Sequence, residues 1–376
     1  MGYEKTLKLE HRGMKAMLPE VKRNAGADLD VRDFFPSGND VLDRWRLRRF
    51  REYQSYGFPV WRRVGLTSFE PPRVEGYRGL ENIDEEGLAL LEELDFEGSD
   101  RKFVLMADVF SMAGEYVVVS SPQEKVVVEV DQDVANSLLD LRGGDLTLVR
   151  IVRRERFVGN LRVKVREKAR FKLVNLHLVG KGGTSIDNVF LDVETGASVE
   201  VYDFYSGGRV NVGFLAVRFS GEDATAKVRP YYAVSSGSAT DVLYQMRFYG
   251  RRNEGTVDSK GVVTGESKVV FRGVLDILPG AKDTVAHQRN HTFLISGSAK
   301  AEAIPSLFVG ENDVVASHAH SSSPLDETAV FYLMTRGCSE TEARELLIKG
   351  TFEDLREELR NFELEAVLDH ALEGLV

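Results

Sequence analysis

Between residues 101 and 320 the chain abandons helical periodicity for short alternating runs: "EKVVVEV", "NLRVKV", "RFKLVNLHL", "VFLDVE", "SVEVYDF", "KVVFRGVLDI" and "TFLISG". Apolar residues at every second position put one set of side chains on each face of a strand. Val, Phe and Tyr are abundant, Gly, Asp, Asn and Ser separate the runs, and Pro is nearly absent, as strands and their turns require. A weak repeat runs through the block. Turn residues followed by Ala open strands at "EKARFKLVNL", "TGASVEVYDF" and "GEDATAKV", and Ala169, Ala197 and Ala224 stand 28 and 27 residues apart. Looser echoes follow at "PGAKDTVAHQ" and "GSAKAEAIPSLF". A unit of this length holding several short strands suits a solenoid coil stacked on the next. A sandwich or barrel would show turn signals every ~8–12 residues without the unit-to-unit echo, and pattern alone leaves both open.

The flanks read differently. Residues 1–100 form a mixed, largely helical N-terminal region in which "GNDVLDRWRLRRFREYQSYGFP" places Val41, Leu42, Trp45, Leu47, Phe50 and Tyr53 at helical spacing before Gly57 and Pro59. "DEEGLALLEELDF" is a shorter helix. Residues 321–376 are helical, with Ser323 before Asp326, Ser339 before Glu342 and Thr351 before Asp354, each an N-cap with an acidic N3 residue. Gly337 and Gly350 stand where C-caps are expected. From Ser339 onward there are 11 acidic and 4 basic residues, so this tail holds −7 of the net charge of −10.

That net charge supplies no field toward phosphate backbones, which argues against a nucleic-acid partner. No run of ~18 apolar residues and no signal-like stretch is present, so a cytoplasmic protein with no membrane partner is expected. "MGYEKT" fits the loose myristoylation pattern, which short sequences match by chance. Cys338 is the single cysteine, so no disulfide and no cysteine set for zinc or an iron–sulfur cluster can form within one chain. It falls in a predicted turn between helices, where packing is the default role. There is no G-x-G-x-x-G, no P-loop and no nucleophile context for a Ser–His–Asp order. "GKGGTS" at 180–185 lacks the Gly-Lys-Ser/Thr ending and a following helix.

His318 and His320 close the last strand-like run, and positions i and i+2 of a strand point the same way. Such a pair could give two ligands to a metal; the plainer role is a cap on the last coil with one imidazole in solvent. His287 and His291 precede the pair by 31 and 29 residues, near one coil's spacing.

The segment from Ser259 to His320 resembles the signature region of the SufB/SufD family, scaffold proteins of the SUF iron–sulfur cluster assembly system. The likeness rests on Ser259-Lys260-Gly261 with Gly265 and Ser267, on Phe271-Arg272-Gly273, and on Pro279-Gly280-Ala281. Gln288 with Asn290 and Ile304-Pro305 complete it. The C-terminal segment is similar through Leu325-Asp326-Glu327, Phe331-Tyr332-Leu333, Arg336-Gly337 and Glu342-Ala343-Arg344. The likeness is strong over 259–350, moderate over 160–258 and weak before that.

The resemblance implies a mainly β fold, a right-handed parallel β-helix over 101–320 between helical N- and C-terminal regions. It implies a non-enzymatic scaffold that works with a SufC-type ATPase docked on the C-terminal helices, through Leu325, Phe331, Tyr332, Leu333 and Arg336. A SufB-type subunit, or a second copy of the chain, would pair with the β-helix, and a transient iron–sulfur cluster would form between the two. His318 matches the histidine that SufD-type subunits bring to that interface, with Ser317 and His320 beside it. It is the candidate metal ligand, in concert with ligands from the partner. Ala316 stands where the family usually has cysteine, the SufB-type cysteines have no counterpart, and Cys338 falls at a usually aliphatic position. A SufD-like subunit with no stable cluster of its own is therefore expected. The alternative is an adaptor that binds the ATPase without cluster chemistry. A polysaccharide lyase or hydrolase on a β-helix would need paired carboxylates along a groove, and the acidic residues of the β block are scattered.

Overall fold

A long succession of strands with apolar residues on alternate positions can bury one face of every strand by coiling the chain around a common interior. The computed structural model of the chain, which describes residues 22–24, 28–120 and 123–375, does this. The "MGYEKT" segment lies outside the described residues. Two short strands, β1 (Lys22–Asn24) and β2 (Phe58–Val60), pair antiparallel near the start. Then follow β3 (Tyr116–Val119), β4 (Gln123–Val130), β5 (Val134–Leu141), β6 (Asp145–Val152), β7 (Arg156–Val165) and β8 (Arg170–Val179). The series continues with β9 (Thr184–Val193), β10 (Ser198–Gly207), β11 (Val210–Phe219), β12 (Thr225–Val234) and β13 (Ala239–Phe248). It ends with β14 (Glu254–Val263), β15 (Lys268–Ile277), β16 (Thr284–Leu294), β17 (Lys300–Val309) and β18 (Val314–Ser323).

Every strand from β3 onward pairs in parallel with the strand two places along, giving one eight-stranded sheet of odd-numbered strands and one of even-numbered strands. Each coil thus contributes one strand to each sheet, and the molecule is a parallel β-solenoid. Arg170, Ser198, Thr225 and Glu254 lie one above another. The repeated alanines mark the coil corners. Ala169, Ala197 and Ala224 are fully buried just ahead of β8, β10 and β12. Their carbonyls accept from Ser198 N, Thr225 N and Glu254 N of the next coil at 3.0, 3.0 and 2.9 Å. A tight corner stacked this way has room for a methyl group and little more, which is why the echo survives there.

The N-terminal helices α1 (Asp40–Ser55), α2 (Glu85–Glu93) and α3 (Arg101–Phe110) cover the outer face of the odd-numbered sheet. Asn39 caps α1 by accepting from Val41 N and Leu42 N. Leu42, Trp45, Phe50 and Tyr53 are buried, whereas Val41 and Leu47 lie off that face and are exposed. The sequence pattern does not reveal α3, because all ten of its residues are buried and no polar stripe marks a helical period. The strands of the solenoid consequently begin at Tyr116.

Charged groups lock this cover in place. Arg46 is fully buried and donates through Nε and Nη2 to Val109 O at 3.1 and 2.6 Å. Arg162 on β7 meets Asp108 of α3 at 2.9 Å with both side chains wholly buried, and Arg49 of α1 reaches the same carboxylate at 2.7 Å. Burial pulls the Arg162 guanidinium below its ordinary value even with Asp108 against it.

The C-terminal helices α4 (Glu327–Thr335), α5 (Glu340–Thr351), α6 (Glu353–Arg360) and α7 (Glu365–Leu372) cover the opposite, even-numbered sheet. Leu325, Ile348, Phe352, Leu355, Leu359, Leu368 and Leu372 pack on Val149, Val174, Leu176, Phe204, Tyr231 and Val262. The Ser339/Glu342 capping box forms, and Gly337 adopts the left-handed φ of 102° that ends α4. Three of the expected caps differ. β18 runs through Ser323, so Asp326 caps α4 instead, accepting from Thr328 N at 2.9 Å. Thr351 and Gly350 stay inside α5, because the chain turns directly into α6 around the buried Phe352.

Two predictions follow from the buried charges. Asp108→Ala leaves Arg162 buried without its counter-ion and should cost about 3–5 kcal/mol in urea unfolding. Replacing Asp108 and Arg162 together by Leu should cost clearly less than that. Burial would raise the carboxyls of Asp95, Asp140 and Asp192, but hydrogen bonds from their arginine and lysine partners outweigh it and hold all three below the usual range. A depressed native value means the unfolded chain binds protons first. The stability these groups contribute is therefore present above about pH 4 and drains away as pH falls below it, so unfolding midpoints should drop between pH 5 and pH 3.

Candidate functional site at the open end of the solenoid

Neither sheet is extended beyond β17 and β18 by any described residue, so the last coil presents both strand edges. Parallel pairing sets Ala316 over Ala286, His318 over Gln288 and His320 over Asn290. Ala286, Gln288 and Asn290 are buried in the lumen, so Ala316, His318 and His320 continue three lumen rows to the mouth. The two histidines share a strand face, as their spacing predicts, and both are exposed. Ser317, Ala319 and Ser321 fall on the other face, over His287, Arg289 and His291. His287 Nδ1 meets Ser317 Oγ at 2.8 Å and His291 Nδ1 meets Ser321 Oγ at 2.6 Å. The coil step here is 30 residues, and spacings of 31 and 29 each miss it by one. One residue of slip turns a side chain to the opposite face, so His287 and His291 meet serines on the strand face opposite to that of His318 and His320.

Signature residues form the floor beneath the histidines. Gln288 occupies the space that a Cβ at Gly273 would take, and the Tyr232 ring occupies the space of a Cβ at Gly261. That passage lets Tyr232 Oη reach Thr292 Oγ1 at 2.6 Å and accept from Asn290 Nδ2 at 2.9 Å. Asn290 Oδ1 in turn lies 2.8 Å from His320 Nδ1. Burial, with His291 nearby, holds the His320 imidazole below its ordinary value, and burial alone does so for His291. Lower in the lumen, Asp187 collects Arg150, His177 Nε2 at 3.1 Å and Asn175 Nδ2 at 3.1 Å. The His177 ring stacks on Tyr205 with centroids 4.5 Å apart. Sequence reasoning missed this inner polar cluster. Its signal was polar residues inside otherwise apolar strands, as in "LVNLHLV" and "TSIDNVF", but only the register tells which of them face inward.

A cleft of about 690 Å³ separates the end of the even-numbered sheet from α5. His291, His320, Lys260 and Arg289 line one side, and Leu346 and Gly350 the other. Lys260 Nζ closes one end on Asp354 at 2.7 Å. On α4, Phe331 and Tyr332 are 67% and 55% exposed and Met334 is exposed with them. Leu333 is half-buried, and Arg336 Nη2 donates to Tyr332 Oη at 3.0 Å. Leu325 lies elsewhere: at 3% exposed it anchors the helices to the sheet and does not belong to the outward face. Cys338 is half-buried in the turn between α4 and α5. Among the described residues no three His, Cys, Asp or Glu side chains gather where a metal could sit. A metal held at His318 or His320 would therefore draw further donors from outside the described residues.

The chain is thus a coiled parallel spine with helical covers on both flat faces and two imidazoles at one end. Residues 125–351 match the family model described as "SUF system FeS cluster assembly, SufBD core domain", and the chain belongs to this SufBD family of iron–sulfur cluster assembly proteins. An iron–sulfur cluster assembly SufBD family protein of Mycobacterium leprae is 28% identical over 187 residues, which are 49% of this chain and 22% of that one. The iron–sulfur cluster assembly protein SufD of Bacillus subtilis is 34% identical over 106 residues, 28% of this chain and 24% of its own. SufD of Escherichia coli is 24% identical over 164 residues, 43% and 38% of the two chains. The matched stretches thus span well under half the length of these relatives. Among the described residues, no helix is long and apolar enough to cross a membrane.

The floor yields a packing test. Gly261→Ala drives a methyl group into the Tyr232 ring and should cost about 1–3 kcal/mol in urea unfolding. Gly143→Ala, where an added Cβ meets nothing, should stay within about 0.5 kcal/mol of wild type.

Proposed function

We propose that this chain is a SufD-like scaffold subunit that supports iron–sulfur cluster assembly together with a SufC-type ATPase and a SufB-type β-helix partner. Iron and sulfide are the cargo. The observation that carries this reading is the open last coil, whose lumen rows end in His318 and His320 while its strand edges remain unpaired. Edge strands with free N–H and C=O groups favour pairing with another strand, and a second β-helix offers one at matching height. Pairing of that kind would bring the partner's side chains beside His318. A neutral imidazole is a competent ligand for iron, and softer thiolates, absent from this mouth because residue 316 is Ala, would come from the partner.

The exposed Phe331, Tyr332 and Met334 suit a docking surface for the ATPase, since apolar aromatic clusters of this kind mark protein interfaces. Helix α5 lies between that surface and the site. It packs through Ile348 on the even-numbered sheet and walls the cleft that holds His320. Movement of α4 and α5 on nucleotide turnover would then reshape the mouth.

Ala316 favours one other reading, an adaptor that binds the ATPase without cluster chemistry. Anaerobic reconstitution separates the two. With ferrous iron, a sulfide source, the ATPase and a SufB-type subunit, wild type should develop cluster absorption and His318→Ala should not, at unchanged melting temperature. Wild-type yield from that variant removes His318 from the chemistry and leaves the adaptor. Phe331→Ala with Tyr332→Ala should weaken ATPase binding by about 10-fold or more, read by calorimetry.

A further inference from the structure

The hydrogen bonds below His320 form a closed circuit. Asn290 Nδ2 donates to Tyr232 Oη at 2.9 Å, which leaves the tyrosine proton for Thr292 Oγ1 at 2.6 Å. Thr292 Oγ1 donates to Asn290 Oδ1 at 3.3 Å and closes the ring. Tyr232, Thr292 and Asn290 are all buried, and in this orientation of the amide their bonds are complete without water. Asn290 Oδ1 has only lone pairs to offer, and His320 Nδ1 stands 2.8 Å from it. A carbonyl oxygen facing a ring nitrogen at that distance requires the proton on the nitrogen. In the neutral ring the Nε2 lone pair is then free.

We infer that Asn290 is a positioning residue: it fixes His320 as the Nδ1–H tautomer, so that Nε2 is offered at the mouth as a second imidazole donor to a borderline divalent cation such as ferrous iron. This deepens the proposed function by adding a donor from the same strand face as His318, on a chain whose residue 316 supplies none. The arrangement follows the rule by which metal-binding histidines are oriented, with the far nitrogen donating to an oxygen held by the protein. Gly261 is part of the device, since only its missing side chain lets the Tyr232 ring pass up to Asn290 and Thr292. His318 stands over Gln288 instead, in a separate lumen row.

The test needs only the isolated full chain, so its failure is distinct from failure of the assembly reading, which is decided with partners present. Histidine labelled with ¹⁵N is read by long-range ¹H–¹⁵N correlation at neutral pH, with His320→Ala assigning the signal. His320 should show a protonated Nδ1 and a bare Nε2, the reverse of the preference of a free imidazole. Asn290→Asp keeps the acceptor and should keep the tautomer; Asn290→Ala should return His320 to the Nε2–H form. Zn(II) alone, as the probe, should shift the Nε2 signal in wild type and in Asn290→Asp, with about 10–100-fold weaker affinity in Asn290→Ala. An Nε2–H ring in wild type, meaning the amide sits the other way round, overturns the inference. So does an unchanged tautomer and zinc affinity in Asn290→Ala. Should that variant fail to fold, the wild-type tautomer and the Asn290→Asp spectrum decide.

Discussion

The stacking of one coil on the next, in strict parallel register, is the constraint on which everything else in this molecule rests. Each strand from β5 to β16 pairs with a strand of the coil on either side, so the position of a residue along the axis follows from the step between coils. That step is 28 and 27 residues through β8, β10 and β12, and 30 between β16 and β18. Because strand side chains alternate in direction, the step also decides which residues enter the lumen. A change of one residue in a corner would exchange the histidines at the mouth for the serines behind them.

Two flat sheets stacked around a lumen leave two outer faces and two ends to be managed. The faces are covered asymmetrically. Charged groups buried under the N-terminal helices, above all Arg162 against Asp108, tie that cover to the spine by interactions that are costly to break. The C-terminal helices sit on a smoother apolar contact of leucines and Phe352 against Val149, Leu176 and Phe204. An apolar contact is less demanding of geometry than a buried ion pair. No described residue extends the sheets beyond β17 and β18, and His318 and His320 lie at that end.

The residues quoted for the family resemblance now have physical reasons. Gly261 and Gly273 are glycines because Tyr232 and Gln288 occupy the space of their missing side chains. Asn290 contacts Tyr232 through its amide nitrogen and His320 through its amide oxygen at once. Arg272 pairs with the buried Asp241 of the preceding coil, on the outer face of the odd-numbered sheet. The match to an iron–sulfur cluster assembly family over residues 125–351 spans the solenoid from β4 onward and helices α4 and α5.

The chain's own pattern determined a good deal: a coiled β block from the alanine echo and the period-two runs, helical flanks from their caps, and the shared face of His318 and His320 from a spacing of two. These are local properties, carried by periods of a few residues. The buried helix α3, the polar lumen around Asp187 and His177, the inward place of Leu325 and the separation of His287 and His291 from the pair were decided only in three dimensions. Each depends on which residue lies above which. That is settled by corner lengths and coil register, summed over hundreds of residues, and no short stretch of sequence records it.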